Sequence, residues 1–169
     1  MFLTDRKLER RIEEIEQYRY RDIIEFKTFA AAEEEQGVVN PKLPTSHEQG
    51  TEKWYTLNTG DTWKGRDRFV WLHKDIAVPA EWKGKKVVGV FDFGNTGGGN
   101  NSGFESMAYV NGKMYQGVDV NHKELILQED LCGTTLELTF RLWSGLEGGG
   151  VPKEQEHRIA RADLAWLDE

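Results

Sequence analysis

Several kinds of residue are scarce in this chain, and each scarcity excludes something. Cys132 is the only cysteine among 169 residues, so no internal disulfide can form, which suits a reducing, cytoplasmic setting. No apolar run approaches the roughly 18 residues a membrane helix needs. The opening MFLTDRKLERRIEEIEQ carries charge where a secretory signal would be apolar, so neither a membrane partner nor secretion is expected. Basic residues are outnumbered, 22 Lys and Arg against 29 Asp and Glu, and the net charge of −7 leaves no footprint for nucleic acid. The one basic cluster, Arg6, Lys7, Arg10 and Arg11, is interleaved with glutamates and reads as a solvated helix face. Four histidines, His47, His73, His122 and His157, never fall at metal-ligand spacing, so no metal is expected in this chain. Ser102 and Ser144 lack the Gly-x-Ser-x-Gly frame of a nucleophile elbow, and Cys132 beside Gly133 reads as a small buried hydrophobe.

What is plentiful is aromatic side chain and glycine: six Trp, eight Phe and 18 Gly. The length fits one domain with a real core, and aromatics in such a core are a commoner use than a sugar platform. Residues 4–25 have helical spacing at Leu8, Ile12, Ile15, Tyr18 and Ile23, with Thr4 or Asp5 as N-cap. FKTFAAAEEEQ (26–36) reads as a second helical piece stopped by Gly37, and 38–53 as loop. From Trp54 onward, short apolar or alternating runs are separated by turn signals. In KELILQ, Leu125 and Leu127 oppose Ile126, and in TTLELTFRLW, Leu136, Leu138, Phe140 and Leu142 share one parity. Asn111-Gly112 between two runs predicts a type I′ hairpin. The expected fold is therefore mainly β, an antiparallel jelly-roll-like β-sandwich of galactose-binding-domain-like type behind an N-terminal amphipathic helix. Residues 1–36 form the helical lead-in and 37–169 the sandwich, the two packed as one unit.

The segment GNTGGGNNSGFESMAYVNGKMYQGVDVNH (94–122) raises the question of chemistry. Neither a phosphate loop nor a dinucleotide fingerprint fits, because strand texture rather than a helix follows the glycines. Its glycine-rich part, 94–103, reads as a wide connection between strands. Asp119 and His122, surrounded by Tyr109, Tyr115, Gln116 and Asn121, make the most suggestive constellation. Two readings stay open: carboxylate work on a sugar, or a turn capped by Asp and Asn side chains.

Taken together, the amphipathic helix ending in YR, GRDRFVWLHKDIAVPAEWKGKKV, SMAYVNGKMYQGVDVNHKELIL, GTTLELTFRLWSGL and RIARADLAWLD resemble the N-terminal ancillary region of glycoside hydrolase family 38 α-mannosidases of the bacterial and cytosolic kind. The most specific part is residues 109–122. The stretch GNTGGGNNSGFES is longer than the family's compact acidic-glycine segment. The resemblance implies a non-catalytic module that packs on a retaining exo-α-mannosidase catalytic domain of the same polypeptide, acting on mannose-containing oligosaccharides in the cytoplasm, with room for a homo-oligomer. The divalent metal, typically zinc, belongs to that catalytic domain. The family's His-x-His-x-Asp-x-Ala-Trp signature is absent: the tail matches it at Asp163, Ala165 and Trp166 but has Ile159 and Arg161 at the histidine positions. That tail reads as the last strand of the sandwich. The resemblance makes Gln116, Tyr115, Asp119, Asn121 and His122 candidates for the rim of the sugar pocket, with Asp119 accepting from sugar hydroxyls. The rival reading is a free-standing carbohydrate-binding module stacking sugars on Trp54, Trp63, Trp71 or Tyr115.

Overall fold

A computed structural model describes residues 4–16, 18–34, 41–44, 54–94, 103–146 and 155–168. Most of the glycine-rich stretch, the connection expected over 38–53 apart from 41–44, Gly37, His47 and Ser102 lie outside the described residues.

One helix, α1 (Thr4–Glu16), precedes the strands. They are β1 (Tyr20–Glu25), β2 (Thr28–Glu33), β3 (Tyr55–Asn58), β4 (Thr62–Gly65), β5 (Phe69–Ala77), β6 (Lys86–Asp92), β7 (Glu105–Val110), β8 (Lys113–Asp119), β9 (Glu124–Ile126), β10 (Thr135–Trp143), β11 (Gln155–Arg158) and β12 (Arg161–Leu167). Among the described residues they form three antiparallel sheets: β1-β12-β6-β9, β3-β2-β5-β10-β7-β8 and the pair β11-β4. The two larger sheets close on one core, which makes the molecule the expected jelly-roll sandwich with a helix at its N-terminus.

The alternation seen in the sequence sets that core. Leu136, Leu138, Phe140, Leu142 and Leu125 are fully buried, whereas Ile126, on the opposite parity of β9, is 49% exposed. The phenylalanines stack between the sheets, with Phe140 4.5 Å from Phe91 and 5.0 Å from Phe93 between ring centroids. Gly89 makes the room for this: a Cβ there would stand 2.4 Å from the Phe91 ring. The I′ hairpin forms as expected, with φ of 51° at Asn111 and 74° at Gly112. Asn111 also fastens the hairpin tip to β10, accepting from Glu137 N at 3.0 Å through its side chain.

Two expectations fail at the N-terminus. The helix does not run to residue 25, because Asp22 takes φ 53° in a bulge and Tyr20–Glu25 pairs with β12 instead. Nor is 26–36 helical; Phe29 and Ala31 point into the core from β2. Alanine favours helix by well under 1 kcal/mol per residue over most others, and tertiary packing outweighs that. Here the alanines serve the sheet: Ala30 and Ala32 pair in register with His73 and Trp71 of β5. The lead-in is thus one short helix followed by two strands of the sandwich, and α1 itself buries no residue. The tail RIARADLAWLD, expected as one last strand, is divided between the end of β11 and β12. Among the described residues no helix is long and apolar enough to cross a membrane.

Candidate functional site

Strand β8 carries Tyr115, Gln116 and Asp119, and the turn after it carries Asn121 and His122; a bulge opposite Ala108 and Tyr109 leaves Tyr115 without a register partner. Gln116 is registered with buried Ala108, so its side chain leans toward the core edge, where the six-stranded sheet meets β9 of the four-stranded one. Its amide behaves like a piece of backbone. Nε2 donates to Glu124 O at 2.7 Å, and Oε1 accepts from Ile126 N at 3.4 Å. Tyr115 donates to Ile126 O at 2.9 Å, and burial raises its phenol pKa, so it stays a donor. Both side chains therefore sew the two sheets together.

Asp119, at the end of β8, begins a four-residue turn in which Asp119 N donates to His122 O at 3.1 Å and His122 N to Asp119 O at 3.2 Å. Oδ1 of Asp119 accepts from Asn121 N at 2.7 Å and from His122 N at 2.8 Å, and the His122 ring nitrogen Nδ1 lies 3.1 Å away. Desolvation pushes the Asp119 carboxyl up, but these N–H groups and the imidazole outweigh it and hold the pKa below the usual 3.8. The capped turn foreseen for this position is what forms, although Asn121 contributes its backbone N–H to it. Oδ2 has only the imidazole at 3.2 Å, and the His122 ring is 75% exposed. The turn thus presents an ionised carboxylate with open acceptor capacity beside an exposed imidazole. Such a pair can orient hydroxyl groups.

Three of the predicted residues, Gln116, Asn121 and His122, also line a groove of about 1140 Å³ over the outer face of the four-stranded sheet. Sequence reasoning missed this face. Glu25, Asp163, Val90 and Glu124 form one register row across β1, β12, β6 and β9. Asp163 is 5% exposed although it faces away from the core. Arg161 forks onto it, Nε to Oδ2 at 2.6 Å and Nη2 to Oδ1 at 3.2 Å, and stacks 4.6 Å from the Tyr20 ring centroid. Tyr20 donates to Glu124, and burial followed by that bond pushes its phenol pKa up to about 12. Arg19 and Lys123 neutralise Glu124 and Asp92. The available signal was the alternation Arg161-Asp163-Ala165 opposite the buried Ala162-Leu164. Asp163 is therefore an ion-pair partner on the sheet face.

The aromatic platform of the rival reading does not hold together. Trp63 is 3% exposed, stacked on His157 at 4.3 Å, and its Nε1 donates to Phe93 O. Trp71 is also 3% exposed, and Tyr115 is half-buried with its hydroxyl in use, which leaves only half-buried Trp54. Cys132 is half-buried, less covered than the buried hydrophobe expected. Burial, then Glu129, push the Cys132 thiol up, and Ser144 is buried with its Oγ accepting from Arg68 N.

The sheets and their fastenings define a jelly-roll domain. Residues 32–143 match the family model described as the alpha-mannosidase jelly roll domain, and the chain belongs to that family. The shape is also that of a part of a Faecalibacterium prausnitzii beta-glucuronidase, at TM-score 0.58 and 13% identity over 86% of this chain and 31% of that one. A Ruminococcus gnavus beta-glucuronidase in complex with D-glucaro-d-lactam matches at TM-score 0.56 and 11% identity over 88% of this chain and 29% of that one. The chain thus spans about a third or less of those enzymes. No curated protein matches its sequence.

Proposed function

We propose that this chain is the non-catalytic jelly-roll domain of a family 38 α-mannosidase. In this role it packs on the catalytic domain of the same polypeptide in the cytoplasm and brings the Asp119 turn to the rim of the mannose pocket. The family match supports the reading most directly, because it is a match to a jelly-roll domain and not to a catalytic one. The turn adds to it. A carboxylate held ionised by two backbone N–H groups is a rigid acceptor, and rigid acceptors orient sugar hydroxyls at little entropic cost. In this role Asp119 accepts from substrate, His122 holds its second oxygen, and Gln116 and Tyr115 keep β8 and β9 in register beneath them. The divalent metal and the nucleophile are assigned to the catalytic domain, so no hydrolysis of a mannoside is expected from the 169-residue chain alone.

Asp119→Ala in the full-length enzyme tests the rim. The expected result is a fall in kcat/KM of roughly tenfold, the worth of one hydrogen bond to a charged group. Catalytic efficiency left unchanged, with melting temperature unchanged, removes Asp119 from the pocket. Calorimetric titration of the isolated chain with mannosides should give no saturable heat; clear binding would favour a sugar-binding module instead.

A further inference from the structure

In α1 the apolar positions Leu8, Ile12 and Ile15 follow the i, i+4, i+7 spacing of a stripe that belongs against a partner. Among the described residues it has none: these side chains are 56%, 63% and 65% exposed, and Tyr18 just beyond them is 58% exposed. An apolar groove of about 560 Å³ runs along the stripe, lined by Ile12, Ile15 and Tyr18 and bounded by the Arg21–Asp168 ion pair.

The charges of the same helix are arranged against its own dipole. Residues 6–11 carry Arg6, Lys7, Arg10 and Arg11 against the single acid Glu9, toward the end where partial positive charge already accumulates, and residues 13–16 carry Glu13, Glu14 and Glu16 with no base. Asp5 is the only acidic residue of the first turn, and the last turn has no basic residue. A 13-residue helix is marginal alone even without this penalty. An antiparallel neighbour with the same sequence reverses both defects together. Stripe covers stripe, and the basic half of each helix lies beside the acidic half of the other. A parallel neighbour would set basic beside basic and acidic beside acidic.

We propose that α1 is a self-association element, pairing antiparallel with α1 of a second copy of this chain through Leu8, Ile12, Ile15 and Tyr18. A two-fold axis makes each charge contact twice, which suits an isologous dimer. The area of one short helix pair is small, so the dissociation constant is expected to be on the order of 10 μM. The inference does not depend on the sugar reading, and its test does not touch the Asp119 turn.

Sedimentation of the 169-residue chain across roughly 1–300 μM measures the association. Ile12→Glu should weaken it at least about thirtyfold, as expected for a central apolar anchor. Because Ile12 is 63% exposed and lies outside the core, the variant's melting temperature should not move, which separates lost pairing from misfolding. Arg10→Glu with Arg11→Glu should weaken the dimer about fivefold, and adding Glu13→Lys with Glu14→Lys to that chain should restore it. A monomer throughout the range would overturn the proposal. So would a dimer that ignores Ile12→Glu, or one that ignores the charge reversal.

Discussion

Between the sheets, Phe91, Phe93 and Phe140 are held by shape alone, ring against ring and fully buried. On the outer face of the four-stranded sheet, Arg161, Asp163, Tyr20 and Glu124 are held by direction, each hydrogen bond aimed at a particular atom. The two regions share strands β6 and β12, whose side chains alternate between them. The interior therefore carries most of the stability, since apolar burial scales with area at about 25 cal/mol per Å². The outer face contributes less and determines which polar groups are available to a partner.

The comparison is broken most directly from the inside. Phe140→Ala removes the ring that touches both Phe91 and Phe93 and should cost about 3–5 kcal/mol, read as a lower urea midpoint with unchanged slope. A loss below about 1 kcal/mol would mean that the aromatic stack collapses around the gap and is not the keystone of the core. On the outer face, Arg161→Ala leaves the buried Asp163 carboxylate without the fork that satisfies it, and the expected loss is smaller, about 1–3 kcal/mol. A variant as stable as the parent would show that water replaces the guanidinium and that this face is wetter than its burial suggests.

These two regions were also unequally legible in the sequence. Strand parity in β9 and β10 was plain because one face of each is apolar throughout, and the Asn111-Gly112 turn announces itself by the positive φ it needs. β1 and β2 were hidden by local preference. Glutamates, alanines and a helical spacing point to helix, while the pairing of Tyr20–Glu25 with β12 spans more than 130 residues of sequence. The site was half legible for the same reason. Asp119, Asn121 and His122 are neighbours in sequence, so their turn could be foreseen. The row Glu25-Asp163-Val90-Glu124 joins four distant strands, and the local alternation in β12 marks only its Asp163 member. Gln116 was picked out for sugar contact, yet its amide is occupied in bonding β9, a role visible only once its register opposite Ala108 is known.

The smallest effect separating the two regions is electrostatic. His157 is fully buried, stacked on Trp63, and its Nε2 donates to Ser144 O at 2.9 Å. Burial disfavours the imidazolium, so its pKa lies below the usual 6.5, even though backbone carbonyl contacts pull the other way. The unfolded chain then binds the proton more readily than the folded one as pH falls below about 6.5, and stability must decline there. Above that pH both states are neutral at this residue and its full contribution is present. The urea midpoint should therefore be flat from pH 8 to about 7 and fall as the pH drops through 6 toward the depressed value. His157→Gln lowers stability at every pH, but it should flatten the slope between pH 7 and 5.5, because the titrating group is gone. Asp119 contributes in a separate window: its carboxyl is held below 3.8 in the fold, so its contribution is lost only in stronger acid. A slope that survives in His157→Gln would move the pH sensitivity out of the interior and onto the charged outer face.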